Sequence, residues 1–168
     1  MALKTDIRGM VHEYPDFFEV GREKVREYAR AVKNDDAAFH DEAAAAELGY
    51  DSLLAPLTFV STLALLVQQD FFRNVDVGFE TMQIVQVDQQ FIYHEPIRVG
   101  DRLYARFEVV SVSERFGADI VVTRNVLTNE RGEVVLEAST TLMGQEGEAS
   151  AKIKFDAVTG QVTRAAVD

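Results

Sequence analysis

The period of hydrophobic and polar positions changes twice along this chain. Phe17-Phe18-Glu19-Val20 predicts a short strand that ends at Gly21. From Arg22 to Val32 the period is helical, with Val25, Tyr28, Ala29 and Val32 on one face. The turn formers Asn34-Asp35-Asp36 stop that helix. An Ala-rich helix is predicted from Glu42 to Leu48, capped by Asp41 and ended by Gly49. A third helix is predicted from Pro56 to Phe71, because proline suits a first helical position, where its missing N–H has no intrahelical partner. This segment is apolar nearly all round until Gln68, a pattern that demands burial on most sides. The N-terminal dozen residues show no clear period and read as coil or a single helical turn.

Beyond the third helix everything alternates. Val85, Val87, Phe91 and Tyr93 fall on one face of a long strand, with Gln86, Asp88 and Gln90 on the other. Leu103, Ala105, Phe107 and Val109 repeat the pattern after the Val99-Gly100-Asp101 turn. The stretch Ile120 to Leu127 follows Phe116-Gly117, and Val134, Leu136, Ala138 and Leu142 follow Asn129-Glu130-Arg131-Gly132. Such strands make an antiparallel meander with one dry face. No crossover helices intervene, which argues against a doubly wound parallel sheet. The economical packing is an α+β fold in which the sheet curls around the apolar helix, the hot-dog architecture. Its open strand edge would be removed by pairing with a second copy or a relative. We expect a domain over 1–148 and a C-terminal tail over 149–168, with Ile153-Lys154-Phe155 as a short strand.

Composition narrows the class. A chain of 168 residues fits one domain with a tail, and 47% hydrophobic content suffices for a core without staples. With no Cys there is no disulfide, thiolate metal site or Cys nucleophile, and no metal or cofactor is expected. No apolar region follows Met1-Ala-Leu-Lys-Thr-Asp, so no signal peptide is expected. The longest apolar run, Leu57 to Val67, falls short of the roughly 20 residues that a bilayer crossing takes. A cytosolic protein with no membrane span is therefore expected. The net charge of −11 argues against a nucleic-acid partner and restricts an anionic one to a local basic patch.

The inventory of proton-transfer groups is short: His12, His40 and His94 are the only histidines. Asn34-Asp35-Asp36-Ala37-Ala38-Phe39-His40 is the one place where a carboxylate and an imidazole lie close in sequence on a loop. Asp35 and His40 could there remove a proton next to a carbonyl and handle the departing water. The other reading makes the two acids turn formers and His40 a surface residue. His94-Glu95-Pro96 reads as the structural end of a strand, and His12 supports no role. Arg22, Arg26, Arg30 and Lys33 recur at helical spacing, either as a solvated face paired with Glu23 and Glu27 or as a docking stripe for an anionic carrier. The N–H groups near Ala55 and Leu57, at the start of the apolar helix, could hold a thioester carbonyl and stabilise an enolate. There is no phosphate-binding glycine loop, no HExxH and no GxSxG.

These residues give the chain a resemblance to the MaoC-like, or hydratase-2, branch of hot-dog proteins. That branch has a loop Gly-Asp-x-Asn-Pro-x-His, and the resemblance puts Asp35 and His40 at its catalytic positions. Asn34, Ala37 and Ala38 replace the Gly, Asn and Pro. Ala55 falls where the branch holds a carbonyl with a backbone N–H, and Leu57, Phe59, Val60 and Leu63 fall where an acyl tunnel would be lined.

Further stretches, including Tyr14-Pro15-Asp16, Val20-Gly21-Arg22-Glu23, Leu54-Ala55-Pro56-Leu57-Thr58-Phe59, Gln83 to Gln89 and Thr140-Thr141-Leu142-Met143-Gly144, are similar to non-catalytic subunits of the mycobacterial (3R)-hydroxyacyl-acyl-carrier-protein dehydratase. The tail with Lys152-Ile153-Lys154-Phe155 looks more like the HadC subunit than HadA. The resemblance implies a subunit that binds a long 3-hydroxyacyl chain delivered by acyl carrier protein. It also implies a heterodimer with a catalytic hot-dog subunit, HadB, which carries the intact loop, in type II fatty-acid elongation towards mycolic acids. Two alternatives stand beside it: an autonomous homodimeric hydratase using Asp35 and His40, and an acyl-binding module without a reaction.

Overall fold

The computed structural model describes residues 3–78 and 82–146, together with the backbone of 152–155 and 162–165. Three helices, α1 (Arg22–Ala31), α2 (Glu42–Glu47) and α3 (Ser61–Asn74), precede or pack on a sheet built mainly from β3 (Met82–Tyr93), β4 (Arg102–Arg115), β5 (Ala118–Thr128) and β6 (Val134–Glu146). Two short strands, β1 (Val11–Glu13) and β2 (Phe18–Glu19), both pair antiparallel with β4. The sheet order is β1-β4-β5-β6-β3, every pairing antiparallel. Among the described residues the outer edge of β3 has no strand partner.

The expected α+β hot-dog architecture is what forms, because alternation leaves one face of each long strand apolar. Leu103, Ala105, Phe107 and Val109 of β4 and Leu136 and Ala138 of β6 are buried against α3, which contributes Leu63, Val67 and Phe71. Phe71 and Phe107 meet with ring centroids 4.8 Å apart. Full burial of a side chain such as Phe107 stabilises by about 2–3 kcal/mol.

Four details depart from the sequence reading. The N-terminal stretch is partly strand, since β1 pairs Val11, His12 and Glu13 with Glu108, Phe107 and Arg106. Three residues are too few to show alternation, so only the partner strand reveals them. His12 gains a partner there as well: its Nε2 lies 2.8 Å from Asp70 Oδ2 of α3.

Second, β3 carries a bulge at Val87, because Gln86 faces Leu142 while Asp88 faces Thr141. One extra residue inverts the faces. Phe91 and Tyr93, opposite the buried Ala138 and Leu136, still point inward, but Val85 (49% exposed) and Val87 (52% exposed) do not share their face. Gln89 turns inward instead and accepts from the Thr140 hydroxyl at 3.0 Å.

Third, α3 is buried along one stripe and not nearly all round, with Leu65 and Leu66 exposed, since a sheet covers only one flank of a helix. It also begins at Ser61, not Pro56. Residues 56–60 form tight turns through Phe59 N–H to Pro56 O at 2.8 Å and Ser61 N–H to Thr58 O at 3.0 Å.

Fourth, the tail holds a two-stranded hairpin, β7 (Lys152–Phe155) with β8 (Val162–Ala165), where sequence gave a single strand. The rest of the tail lies outside the described residues.

Candidate active-site cleft

The loop between α1 and α2 closes on itself. Asp36 accepts from the Ala38 N–H at 3.0 Å and so caps a single 3₁₀ turn, Ala37–Phe39. The side-chain oxygen of Asn34 accepts from the Asp36 N–H at 3.2 Å. His40 Nε2 lies 3.2 Å from the Asn34 carbonyl oxygen. A carbonyl can only accept, so Nε2 carries the proton and donates it. Arg26 reaches over from α1 and donates two hydrogen bonds to the His40 carbonyl, at 3.1 and 2.7 Å, and also pairs with Glu23 at 2.9 Å. Arg22 pairs with Glu42 of α2 at 2.9 Å. Half of the basic stripe therefore braces this loop and its neighbours.

Next to the loop lies a cleft of about 570 Å³, lined by Asp36, Ala38, Phe39, Leu48, Leu54, Ala55, Pro56, Leu57, Tyr93, Pro96 and Ile97. Neither Asp35 nor His40 lines it. Asp35 is exposed and makes no hydrogen bond to His40 among the described residues. The physical reason is local. Asp36 is extended, at φ −59° and ψ 125°, with its carboxylate turned onto Ala38, and neighbouring side chains in extended backbone point to opposite sides. No hydrogen bond thus joins Asp35 to His40 among the described residues, and the carboxylate that lines the cleft belongs to Asp36.

The lead-in to α3 forms the opposite wall. Ala55 lines the cleft, but its N–H donates to the Ile97 carbonyl at 2.8 Å, so it is engaged in backbone pairing and does not offer itself to a substrate carbonyl. Pro56 has no N–H to offer. Of the residues expected to line a tunnel, Leu57 borders the cleft and is 68% exposed. Phe59, Val60 and Leu63 are core instead, with Phe59 edge-on to Tyr28 at 5.5 Å and to Phe18 at 6.0 Å.

Two tyrosines grip this lead-in from outside. The Tyr28 hydroxyl donates to the Thr58 carbonyl at 2.8 Å, and the Tyr93 hydroxyl donates to the Leu57 carbonyl. Burial, with a smaller contribution from Tyr28, pushes the Tyr93 phenol up to about 12. Sequence reasoning counted Tyr93 only as a strand residue; its position at the end of β3, just before His94-Glu95-Pro96, was the available signal. His94 itself pairs with Glu137 at 3.1 Å on β6 and takes no part in the cleft. Arg124 and then His94 hold the Glu137 carboxyl below its usual range. No cluster of three or more His, Cys, Asp or Glu among the described residues is placed to hold a metal ion. Nor is any helix among them long and apolar enough to cross a membrane.

The family model of the FAS1-like dehydratase domain region matches residues 8–138, which contain the loop, the cleft and the sheet. This chain belongs to that dehydratase family. A UPF0336 protein of Mycobacterium tuberculosis strain H37Rv is 66% identical over 166 residues, covering 99% of this chain and 100% of the relative. The crystal structure of a C-terminally truncated HadBC (3R-hydroxyacyl-ACP dehydratase) complex from Mycobacterium tuberculosis contains a chain that is 65% identical. It superposes with a TM-score of 0.80, covering 84% of this chain and 100% of that one. A MaoC-like dehydratase is 33% identical with a TM-score of 0.81, covering 96% of this chain and 52% of that one. The MaoC-like resemblance seen in the sequence therefore holds for this member of the FAS1-like dehydratase family, and so does its likeness to the mycobacterial dehydratase subunits.

Proposed function

We propose that the chain is a non-catalytic, acyl-binding subunit of a (3R)-hydroxyacyl-ACP dehydratase, acting in the cytoplasm in type II fatty-acid elongation towards mycolic acids. One observation carries this reading: of the loop Asn34–His40, neither Asp35 nor His40 lines the neighbouring, largely apolar cleft, and the one carboxylate that does, Asp36, caps the Ala37–Phe39 turn. The Asp and His that remove water from the 3-hydroxyacyl thioester then belong to a catalytic hot-dog partner. Similarity to a chain of the HadBC complex supports that assignment. So does the surface that this chain leaves uncovered. The β3 edge is twelve residues long, Val85, Val87 and Ile92 are exposed along that strand, and Leu65 and Leu66 are exposed on α3. A long apolar strand edge favours pairing with another chain. Acyl carrier protein would approach the basic side of α1, where Arg30 and Lys33 remain exposed. The unit that binds is residues 1–148, with 149–168 as an appendage.

Dehydration of a (3R)-hydroxyacyl thioester, measured on this chain alone, on the partner alone and on the two together, tests the proposal. We expect the complex to be active and the isolated chain inactive. Asp35→Asn and His40→Ala in this chain should leave the rate of the complex unchanged. Full activity of the isolated chain, abolished by His40→Ala, would instead establish an autonomous hydratase. Acyl binding with no effect on the partner's rate would leave only a binding module.

A further inference from the structure

A thioester carbonyl buried in the cleft requires a hydrogen-bond donor, or it loses the bonds it made to water. Sequence suggested the N–H groups near Ala55 and Leu57: that of Ala55 is engaged with Ile97, Pro56 has none, and Leu57 lies at the surface, 68% exposed. His40 does not line the cleft, and the Asp36 carboxylate can only accept. Among the lining side chains, one neutral hydroxyl remains, that of Tyr93. We propose that the Tyr93 hydroxyl is the carbonyl-binding group of this cleft, donating to the thioester oxygen of an acyl group whose chain lies along Leu54, Leu57 and Ile97. The assignment rests on the acyl-binding reading of the cleft and names the atom that would recognise the ligand's head.

Three features support the assignment. The phenol, which burial pushes up to about 12, stays protonated throughout the physiological range as a tyrosine ordinarily does, so it acts as a donor and never as an anion. Its hydrogen bond is exchangeable. The present acceptor is the Leu57 carbonyl, and Leu57 lies at the surface, 68% exposed, where water can replace the phenol at little cost. Finally, the lead-in has other supports besides this bond. The turns at Phe59 and Ser61 are closed by backbone bonds, and Tyr28 holds Thr58 separately.

The test uses the full chain and two probes, dodecanoyl pantetheine, a thioester, and S-dodecyl pantetheine, the thioether without the carbonyl. By calorimetry the wild type should bind the thioester roughly five- to tenfold more tightly, the contribution of one neutral hydrogen bond. Tyr93→Phe should bind both probes with the wild type's thioether affinity, since the ring that lines the cleft is kept. Infrared spectroscopy of the ¹³C-carbonyl thioester should show a lowered stretching frequency when bound to the wild type and none in Tyr93→Phe. The wild-type spectrum reads the bond even if the variant folds poorly. Equal affinity of the wild type for the two probes, or an unshifted bound carbonyl, overturns the assignment of Tyr93 while acyl binding stands. A Tyr93→Phe variant that keeps the preference overturns it too. Failure of the wild type to bind either probe removes the acyl-binding reading, and this assignment with it.

Discussion

The two walls of the cleft are held in opposite ways. On one side the loop Asn34–His40 is fastened from within by its own side chains, Asp36 onto Ala38, Asn34 onto Asp36 and His40 onto Asn34. On the other side the α3 lead-in is fastened from outside, by Tyr28 and Tyr93 on its carbonyls and by Phe59 sunk into the core. A loop that uses the acid facing the cleft, Asp36, and its imidazole as structural links has few groups left there for moving protons. A segment held by hydroxyls from its neighbours can exchange one of them for a ligand. The contrast is between a wall closed by its own links and a wall held by side chains of its neighbours.

Removing the lead-in's anchor should have the largest effect. Phe59 is 1% exposed and meets two other aromatic rings, so Phe59→Ala should cost about 3–5 kcal/mol, read as a lower urea midpoint at unchanged slope. A much smaller loss would mean that the lead-in is carried by its hydrogen bonds and not by the core.

Next comes the brace on the loop. Arg26→Ala deletes both guanidinium bonds to the half-buried His40 carbonyl and should cost about 1.5–3 kcal/mol, with faster amide exchange over Asp36–Asp41. Unchanged exchange there would show that the loop needs no brace beyond its own side chains, which sharpens the contrast further.

The smallest effect lies in alkali. Burial raises the Tyr93 phenol to about 12, whereas an unfolded chain titrates a tyrosine near about 10. The unfolded state therefore loses its proton first. The contribution of Tyr93 is fully present below about 10 and lost as pH rises from about 10 to about 12. Absorbance at the phenolate band should show a late-titrating component in the wild type that Tyr93→Phe lacks. A wild-type titration without that component would contradict the half-buried position of Tyr93.

The strands and helices were legible because their patterns are local. The capping of α2 by Asp41, the end of that helix at Gly49 and the four long strands all follow from residue types at fixed spacing. The candidate site was legible as a place but not as an arrangement. Sequence pointed to the Asn34–His40 loop and to Ala55, and both border the same cleft through Asp36, Ala38, Phe39 and Ala55. It could not say that Asp36, and not Asp35, would face inward. That depends on one cap and one extended residue, a local choice between two adjacent acids that period and composition do not distinguish.

The sequence by itself determined the hot-dog scaffold, because alternation and helical period fix which faces must leave water. Tertiary structure alone decided the face of β3, where the single bulge at Val87 inverts the parity on which sequence reading depends. It also decided the start of α3, where Pro56 permits a helix but the bonds at Phe59 and Ser61 close tighter turns. Finally, it decided which groups reach the cleft and which are already engaged. Ala55 was the nearest candidate along the chain, yet Ile97, forty-two residues on, takes its N–H, and Tyr93, thirty-eight residues on, lines the same cleft. Hydrogen bonds are competitive, and which partner wins at each donor depends on distances that exist only once the sheet has closed around the helix.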